Sequence, residues 1–279
     1  MKFLLRGGLG NRLFIISAAV HFKTAFGPSC IVIPKGLTLT PFERRICTEL
    51  EILVMEERLI DKARRSAETR LPTCCSNAVS WPRWKLLRQT GCVPIDQIAG
   101  SHGVIGYFQC ANYAANASDW SSWLEDTVIS NSKSIIPSPI PRIQKVALQI
   151  RRGDYLAHQD LYGYLPKAYF EQAIDKLGAR LGECVVFTDD EKFVRDEFRD
   201  WMREAKFASQ YFNSSDSVEN LYLLSRFDRL VISNSSFGWW GSHLSGGETV
   251  APAIWAHQSV APSGVLKDDW KLIHDFVTF

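Results

Sequence analysis

Residues 146–155 read VALQIRRGDY, an apolar run that stops abruptly on two arginines, a glycine and an aspartate. The apolar part predicts a buried strand. LPKAYFEQAIDKLGARLG (165–182) follows and predicts a helix with a proline in its first turn and a glycine at its end. CVVFTDD (184–190) predicts a second strand that ends on two acids. Strands that alternate with helices indicate an α/β fold with parallel sheets covered on both faces.

The same alternation extends along the chain in both directions. Towards the C-terminus, the patterns predict helices in 191–205, 217–227 and 234–245, strands in 228–233 and 249–255, and a helix or strand in 270–276. Towards the N-terminus, they predict a strand in 2–6, a helix in 11–26, a strand in 31–34, helical periodicity over 42–67, a strand from 104 and a helix within 119–129.

A proline-rich stretch separates the two halves. Residues 137–141 read PSPIP, with serines on the N-terminal side. Proline favours extended backbone and removes a hydrogen-bond donor, which is typical of a linker. We therefore predict an N-terminal α/β domain over 1–140 and a C-terminal α/β domain over 141–279.

Composition excludes several classes of protein. The chain has 279 residues and a formal net charge of +2, which argues against a protein that neutralises a nucleic-acid backbone. Only three apolar residues separate Lys2 from Arg6, too few for a signal peptide, and no segment resembles a membrane span. Seven scattered cysteines without a CxxC pair do not predict a zinc site and are interpreted as mostly reduced thiols. The expectation is a cytosolic protein.

Three turns follow predicted strands, and ligands of open parallel sheets bind beyond the carboxyl ends of strands. GGLGNR (7–12) lacks both the GxGxxG and the GxxxxGK[ST] patterns, so it predicts either a plain tight turn or a backbone able to approach a bound group closely.

In RRGDY (151–155), consecutive side chains alternate, so one arginine can face a cleft while the other pairs with Asp154 or reaches the surface. Arginine suits phosphate, and the alternatives are a surface ion pair or, less compatible with a cytosolic chain, an adhesion sequence.

The third turn is VISNSSFGWWG (231–241). Its hydroxyls and the first amides of the following helix can form a neutral anion cradle. The alternative is simple helix capping, and Trp239 and Trp240 are interpreted as core residues.

The three turns together resemble glycosyltransferase family 11, the α-1,2-fucosyltransferases. That family carries GGLGNQ, HxRRGDY and SNSSFSWWG in this order, which read GGLGNR, QIRRGDY and SNSSFGWWG here. GYFQ (106–109) and FTDD (187–190) also resemble family segments. The resemblance implies a GT-B fold with two facing Rossmann-like domains, the acceptor on the N-terminal side and the nucleotide sugar in the C-terminal domain. It also implies GDP-fucose as donor, inversion at the anomeric carbon, no metal or other cofactor, and a galactose-terminated glycan, such as a bacterial O-antigen or its lipid-linked precursor, as acceptor.

Residue roles follow from the resemblance position by position. Arg151 is expected to bind the β-phosphate, and Asn11, with Gly8 and Gly10, to face the reacting sugar. The remaining donor-binding positions are Gln149, Arg152, Asp189, Asp190, Asn220, Ser235, Ser236 and Phe237. Asp154 is the first candidate for the general base or for holding an arginine in place, with His158, Asp160 and Asp119 in reserve.

Some positions depart from the family pattern. Gln149 stands in place of the histidine, Asn220 in place of an acid, and Arg12 in place of a glutamine. These departures leave open a different nucleotide-sugar donor, or a protein that binds a nucleotide sugar or glycan without catalysis. Peripheral contact with the inner face of the membrane is a further open alternative.

Overall fold

The computed structural model describes residues 1–56, 83–86, 91–94, 97–98, 101–131, 140, 142–210, 216–274 and 276. They form two compact units. The first comprises Met1–Ser118 with Pro262–Val265, and the second Asp119–Ala261 with Leu266–Phe279.

The first unit is built on a five-stranded parallel sheet in the order β3-β2-β1-β5-β4. Its strands are β1 (Lys2–Leu4), β2 (Cys30–Ile33), β3 (Leu53–Glu56), β4 (Arg83–Leu86) and β5 (Ser101–Ile105). Its helices are α1 (Leu9–Phe26), α2 (Pro41–Glu49) and a short 3-10 helix (Ala111–Asn116).

Helix α1 begins directly after the glycine turn and is buried along most of its length, as its apolar sequence predicts. Arg12, in its first turn, is buried and pairs through Nε with Glu43 Oε1 of α2 at 2.9 Å. Burial raises the pKa of Glu43, while the Arg12 charge and hydrogen bonds from Thr40 oppose that rise. No helix in the described ranges, α1 included, is long and apolar enough to cross a membrane.

The predicted helical segment over 42–67 is wrong beyond Glu49. Helix α2 ends there, Glu51 adopts a left-handed conformation with φ of 49°, and Leu53–Glu56 form strand β3. The register of β3 against Cys30–Ile33 of β2 is a long-range pairing that overrides the charged helical pattern. Residues 57–67 of that prediction lie outside the described part.

The second unit is built on a six-stranded parallel sheet in the order β11-β10-β9-β6-β7-β8. Its strands are β6 (Ile143–Ile150), β7 (Cys184–Thr188), β8 (Lys206–Phe207), β9 (Phe227–Ile232), β10 (Glu248–Pro252) and β11 (Lys271–Ile273). Its helices are α3 (Trp120–Asn131), α4 (Gln159–Tyr162), α5 (Lys167–Lys176), α6 (Glu191–Glu197), α7 (Ser217–Ser225) and α8 (Ser236–Ser245).

Strand β6, which contains the apolar run before Arg151, lies between β7 and β9 in the sheet. Its Val146, Leu148 and Ile150 are buried in a core shared with helix α5. The predicted α/β class, with two Rossmann-like domains of parallel strands, is confirmed.

The division between the units falls before α3, whereas the sequence places the domain boundary between residues 140 and 141. Helix α3 packs on the second unit because the ring of Trp120 stacks on that of Trp240 at 5.1 Å. Glu125 of α3 accepts a hydrogen bond from the Tyr222 hydroxyl at 3.1 Å, which adds a polar link to α7.

The cysteine interpretation needs one correction. Cys92 and Cys110 form a disulfide, although 18 positions separate them in sequence. Both neighbouring backbones bind the segment 262–265: Cys92 N donates to Ser263 O and Ala111 N donates to Gly264 O. That long-range arrangement has no spacing signature in the sequence. The other described cysteines are unpaired and buried, namely Cys30, Cys47 and Cys184.

Candidate functional site

The candidate site of the second unit lies at the carboxyl ends of three adjacent strands, β7, β6 and β9. Since these strands are parallel, the residues that follow each of them meet at one edge of the sheet. The RRGDY turn follows β6, and the acids Asp189 and Asp190 follow β7. Residues 233–236 (SNSS), here called the serine junction, follow β9. The structure therefore brings together most of the residues that the resemblance assigned to the donor.

Asp189 holds the first arginine. Its Oδ2 lies 3.1 Å from Arg151 Nη1, and its Oδ1 accepts a hydrogen bond from the Arg152 amide at 3.0 Å. A Cβ at Gly153 would lie closer than 3.0 Å to the same carboxylate, so a larger residue here would displace the Asp189 side chain. The Arg151 side chain keeps 32% of its surface exposed, which leaves it accessible to an anion.

Asp190 holds the second arginine. Arg152 Nη1 lies 2.7 Å from Asp190 Oδ2, and its guanidinium stacks over the Phe193 ring at 3.7 Å. Asp190 is also the N-cap of α6 and accepts from the Phe193 amide at 3.0 Å. That hydrogen bond, followed by Arg152, holds the pKa of Asp190 below its ordinary value. Arg152 thus pairs with Asp190, where the sequence suggested Asp154 or the surface.

The serine junction is joined to strand β6 by hydrogen bonds. The Ser233 hydroxyl accepts from the Arg151 amide at 3.1 Å and donates to the Gln149 carbonyl at 2.9 Å. Ser233 itself is buried, and so is Gln149. These bonds fix the backbone of Arg151 against the start of helix α8.

Helix α8 presents its N-terminus at this edge. Ser235 is its N-cap and makes no side-chain capping bond. The first amides of a helix have no carbonyl partner within the helix, so those of Ser236 and Phe237 are available to an anion. Both residues are partly exposed, and the predicted core positions Trp239 and Trp240 are confirmed as fully buried.

Asn234 ties the serine junction to three other segments by hydrogen bonds. Its Nδ2 donates to the carbonyls of Tyr162 at 2.6 Å and Trp255 at 3.0 Å, and its own carbonyl accepts from the Tyr155 hydroxyl at 2.7 Å. The anchors Asn234 and Tyr155 were not among the predicted site residues, because their role depends on contacts between distant segments.

The remaining predicted residues of this unit lie on other elements or in the 3-10 helix that follows Arg152. Asn220 lies in the first turn of α7, and its Nδ2 donates to the Asp216 carbonyl at 2.9 Å. Asp154 falls within the 3-10 helix Gly153–His158, and its side chain lies outside the described part. His158, Asp160 and Asp119 are exposed. The roles predicted for all of them stay predictions.

The glycine turn of the first unit is a separate feature. Gly7 has a φ of 79° and therefore needs glycine, while Gly8 is the N-cap of α1. Gly10 is buried in the first turn, and Asn11 is partly exposed. The turn delivers the Asn11 amide just beyond the carboxyl end of β1.

Gln109 fixes the orientation of that amide, because its Nε2 donates to Asn11 Oδ1 at 2.8 Å. The preceding Phe108 is buried in a left-handed conformation with φ of 53° and packs edge-on against Phe3 at 5.3 Å. Such strain in a non-glycine residue persists only where the surroundings impose it. The family resemblance covers GYFQ (106–109) but assigns Gln109 no role.

Comparison with known proteins bears on the second unit in particular. The family model described as glycosyl transferase family 11 matches residues 140–273, the segment that contains the arginines, the two acids and the serine junction. This segment, just under half of the chain, belongs to glycosyltransferase family 11. A nucleotide-sugar donor and a glycan acceptor are the substrates that membership implies.

Three relatives of this chain are informative. O-antigen biosynthesis glycosyltransferase WbnK of Escherichia coli is 25% identical and covers 91% of this chain and 94% of the relative. Alpha-1,2-colitosyltransferase of E. coli is 31% identical over 39% of this chain and 40% of its own. Galactoside 2-alpha-L-fucosyltransferase Sec1 of Mus musculus is 29% identical over 38% of this chain and 30% of its own.

Among solved structures, E. coli ADP-heptose LPS heptosyltransferase II matches 98% of this chain and 89% of its own, with 10% identity and a TM-score of 0.46. E. coli heptosyltransferase WaaC with ADP gives a TM-score of 0.42 at 12% identity, over 98% of this chain and 93% of its own. Neither score reaches 0.5, so no conclusion about this chain follows from them.

Proposed function

We propose that the chain is an inverting α-1,2-fucosyltransferase that moves fucose from GDP-fucose to a galactose-terminated glycan. The observation that carries the proposal is Arg151, held by Asp189 beside the N-terminus of helix α8. This combination supplies a fixed positive charge and backbone donors at the edge of the sheet where a nucleotide diphosphate would bind.

The chemistry needs stabilisation of the leaving group. As transfer proceeds, the bond between the anomeric carbon and the β-phosphate oxygen breaks, and its electron pair goes to the diphosphate. Arg151 and the amides of Ser236 and Phe237 would bind that growing negative charge. A charged hydrogen bond contributes about 1.5 to 3 kcal/mol. Two such bonds that strengthen in the transition state would accelerate transfer by at least about a hundredfold.

The protein's own donors support a reaction without a metal or other cofactor. Arginine remains charged at any relevant pH and can perform the neutralising role that Mg²⁺ has in other transferases. We therefore propose that transfer proceeds in the presence of a chelator.

The acceptor hydroxyl would attack the anomeric carbon from the face opposite the diphosphate, which inverts the configuration. Its proton must pass to a base, and we propose Asp154, which follows Gly153 in the turn that Asp189 contacts. Within the first unit, we propose that the Asn11 amide, oriented by Gln109, binds the acceptor glycan.

A second donor, GDP-colitose, is favoured by the colitosyltransferase relative, whose identity to this chain is 31% over the matched part. Colitose is L-fucose without the 3-hydroxyl. Arg151 and the amides of Ser236 and Phe237, here called the diphosphate cradle, would therefore serve both donors. The choice depends on whether the site hydrogen-bonds that hydroxyl, since an unpaired buried polar group strongly disfavours the deoxy sugar.

The test is a donor panel at equal concentrations with β-galactoside acceptors, lactose and lacto-N-biose, in the presence of EDTA. The proposal expects transfer from GDP-fucose with release of GDP. Faster transfer from GDP-colitose would favour the second donor. Binding of GDP-fucose without transfer or hydrolysis would refute the enzymatic proposal.

The WbnK relative, which covers most of the chain, supports an O-antigen or its lipid-linked precursor as acceptor. Such an acceptor is consistent with work at the cytoplasmic face of a membrane, with or without peripheral contact. Fractionation of cells that express the chain, with and without its acceptor pathway, would test this part of the proposal.

A further inference from the structure

Gln149 occupies an unusual place next to the site. It is the penultimate residue of β6, and only 4% of its surface is exposed. The Ser233 amide donates both to its backbone carbonyl at 3.1 Å and to its side-chain Oε1 at 3.2 Å. The Ser233 hydroxyl adds a third bond to the same backbone carbonyl at 2.9 Å.

Gly238 makes room for this side chain. A Cβ at position 238 would lie 2.5 Å from Gln149 Oε1, 3.1 Å from its Cδ and 3.2 Å from Ile232 Cβ. The backbone of Gly238 is inside helix α8, in a conformation open to any residue, so the close approach alone requires glycine. Gln149 and Gly238 therefore form one packing unit between strand β6 and helix α8.

We propose that Gln149 is a positioning residue that acts on the diphosphate cradle through Ser233, and that Gly238 is the partner that permits it. The proposal deepens the proposed function and rests on it. Ser233 lies between the two halves of the cradle, because its hydroxyl accepts from the Arg151 amide and its chain continues into Ser235, the N-cap of α8. A shift of the Gln149 amide thus moves the arginine and the helix N-terminus relative to each other.

Gln149, which stands where the family pattern has histidine, acts on the donor indirectly. The side chain is buried and bonded to the Ser233 backbone, so it does not choose between sugars by touching them. Its effect on the donor is on the geometry with which the diphosphate is held, and it is the same for every nucleotide diphosphate.

A double-mutant cycle measured by thermal unfolding tests the contact without any ligand. Gly238→Ala is expected to lower the Tm in the wild-type background and to cost less in the Gln149→Ala background, where the clash with the amide is gone and the 3.2 Å approach to Ile232 Cβ remains. Gly241→Ala is the matched control: it lies in the same helix, and its Cβ would collide with Leu224 instead. Its cost should be equal in both backgrounds.

A second measurement tests the positioning role. Gln149→Met keeps the shape and the backbone acceptor but removes the side-chain acceptor for Ser233 N. It should weaken GDP binding by up to about tenfold, the factor for one well-placed hydrogen bond. Guanosine, which lacks the diphosphate, should bind the variant as it binds the wild type, a difference that general destabilisation would not produce.

Equal GDP affinity of Gln149→Met and wild type would overturn the positioning role, and an undiminished cost of Gly238→Ala in the Gln149→Ala background would overturn the packing unit. A wild type that binds no GDP would instead refute the proposed donor, and the unfolding cycle would still decide whether the two residues are coupled.

Discussion

Gly153→Ala tests whether the Asp189 carboxylate sets the position of Arg151. The added Cβ would lie closer than 3.0 Å to Asp189 Oδ2 and 3.2 Å from its Cγ, whereas ordinary contact begins at 3.4 Å. The carboxylate oxygen must therefore move by well over 0.4 Å to reach ordinary contact. Its contacts with Arg151 Nη1 at 3.1 Å and with the Arg152 amide at 3.0 Å would stretch towards the limit of a hydrogen bond.

Two consequences of Gly153→Ala can be measured separately. Overpacking of this kind lowers the free energy of unfolding by about 1 to 3 kcal/mol. Displacement of a group that stabilises the leaving diphosphate lowers kcat/KM by about tenfold to a hundredfold. The assays are thermal unfolding and initial rates of GDP release with GDP-fucose and lactose.

Gly182→Ala is the control for this experiment, because the nearest atom to its added Cβ is 4.0 Å away, and it should leave both quantities unchanged. A Gly153→Ala enzyme with wild-type kcat/KM would refute the reasoning, even if it were less stable. It would show that the diphosphate is held without the Asp189 contact.

Three further predictions concern other parts of the chain. Gln109→Leu should lower kcat by about tenfold with little effect on GDP affinity, because the Asn11 amide loses the bond that orients it; steady-state rates and calorimetry check this. The pKa of Asp190 is lowered on folding, so it stabilises the folded state above pH 3.8 and that contribution is lost as the pH falls further; Asp190→Asn should flatten the fall of Tm on the acid side. Burial raises the pKa of the Cys47 and Cys184 thiols to about 12, so at pH 8 about one in ten thousand is a thiolate, and mass spectrometry should find neither alkylated by iodoacetamide in the folded protein.

The sequence predicts the layers of this fold well because each strand and helix carries its own local signal. The apolar runs of β6, β7 and β9 and the serine-rich start of α8 lie where the patterns place them. The rule that ligands bind beyond the carboxyl ends of parallel strands then groups the arginines, acids and serines correctly before any coordinates are known.

Pairings between distant residues are what the sequence does not reveal. The contact of Asp189 with Gly153, the bond of Gln149 to Ser233 and the disulfide of Cys92 depend on the register of neighbouring segments. Strand β3 was missed for the same reason, since parallel pairing with β2 overrides local helical periodicity.

The central claim is that Arg151 stabilises the leaving diphosphate, and the transfer rate of Arg151→Ala tests it most directly. Removal of one such donor lowers kcat by about a hundredfold to a thousandfold, while the Tm should change little because the Arg151 pair with Asp189 is partly exposed. Arg195→Ala, which removes an exposed arginine paired with Glu191, should retain full activity. A folded Arg151→Ala enzyme that transfers fucose at the wild-type rate would contradict the account.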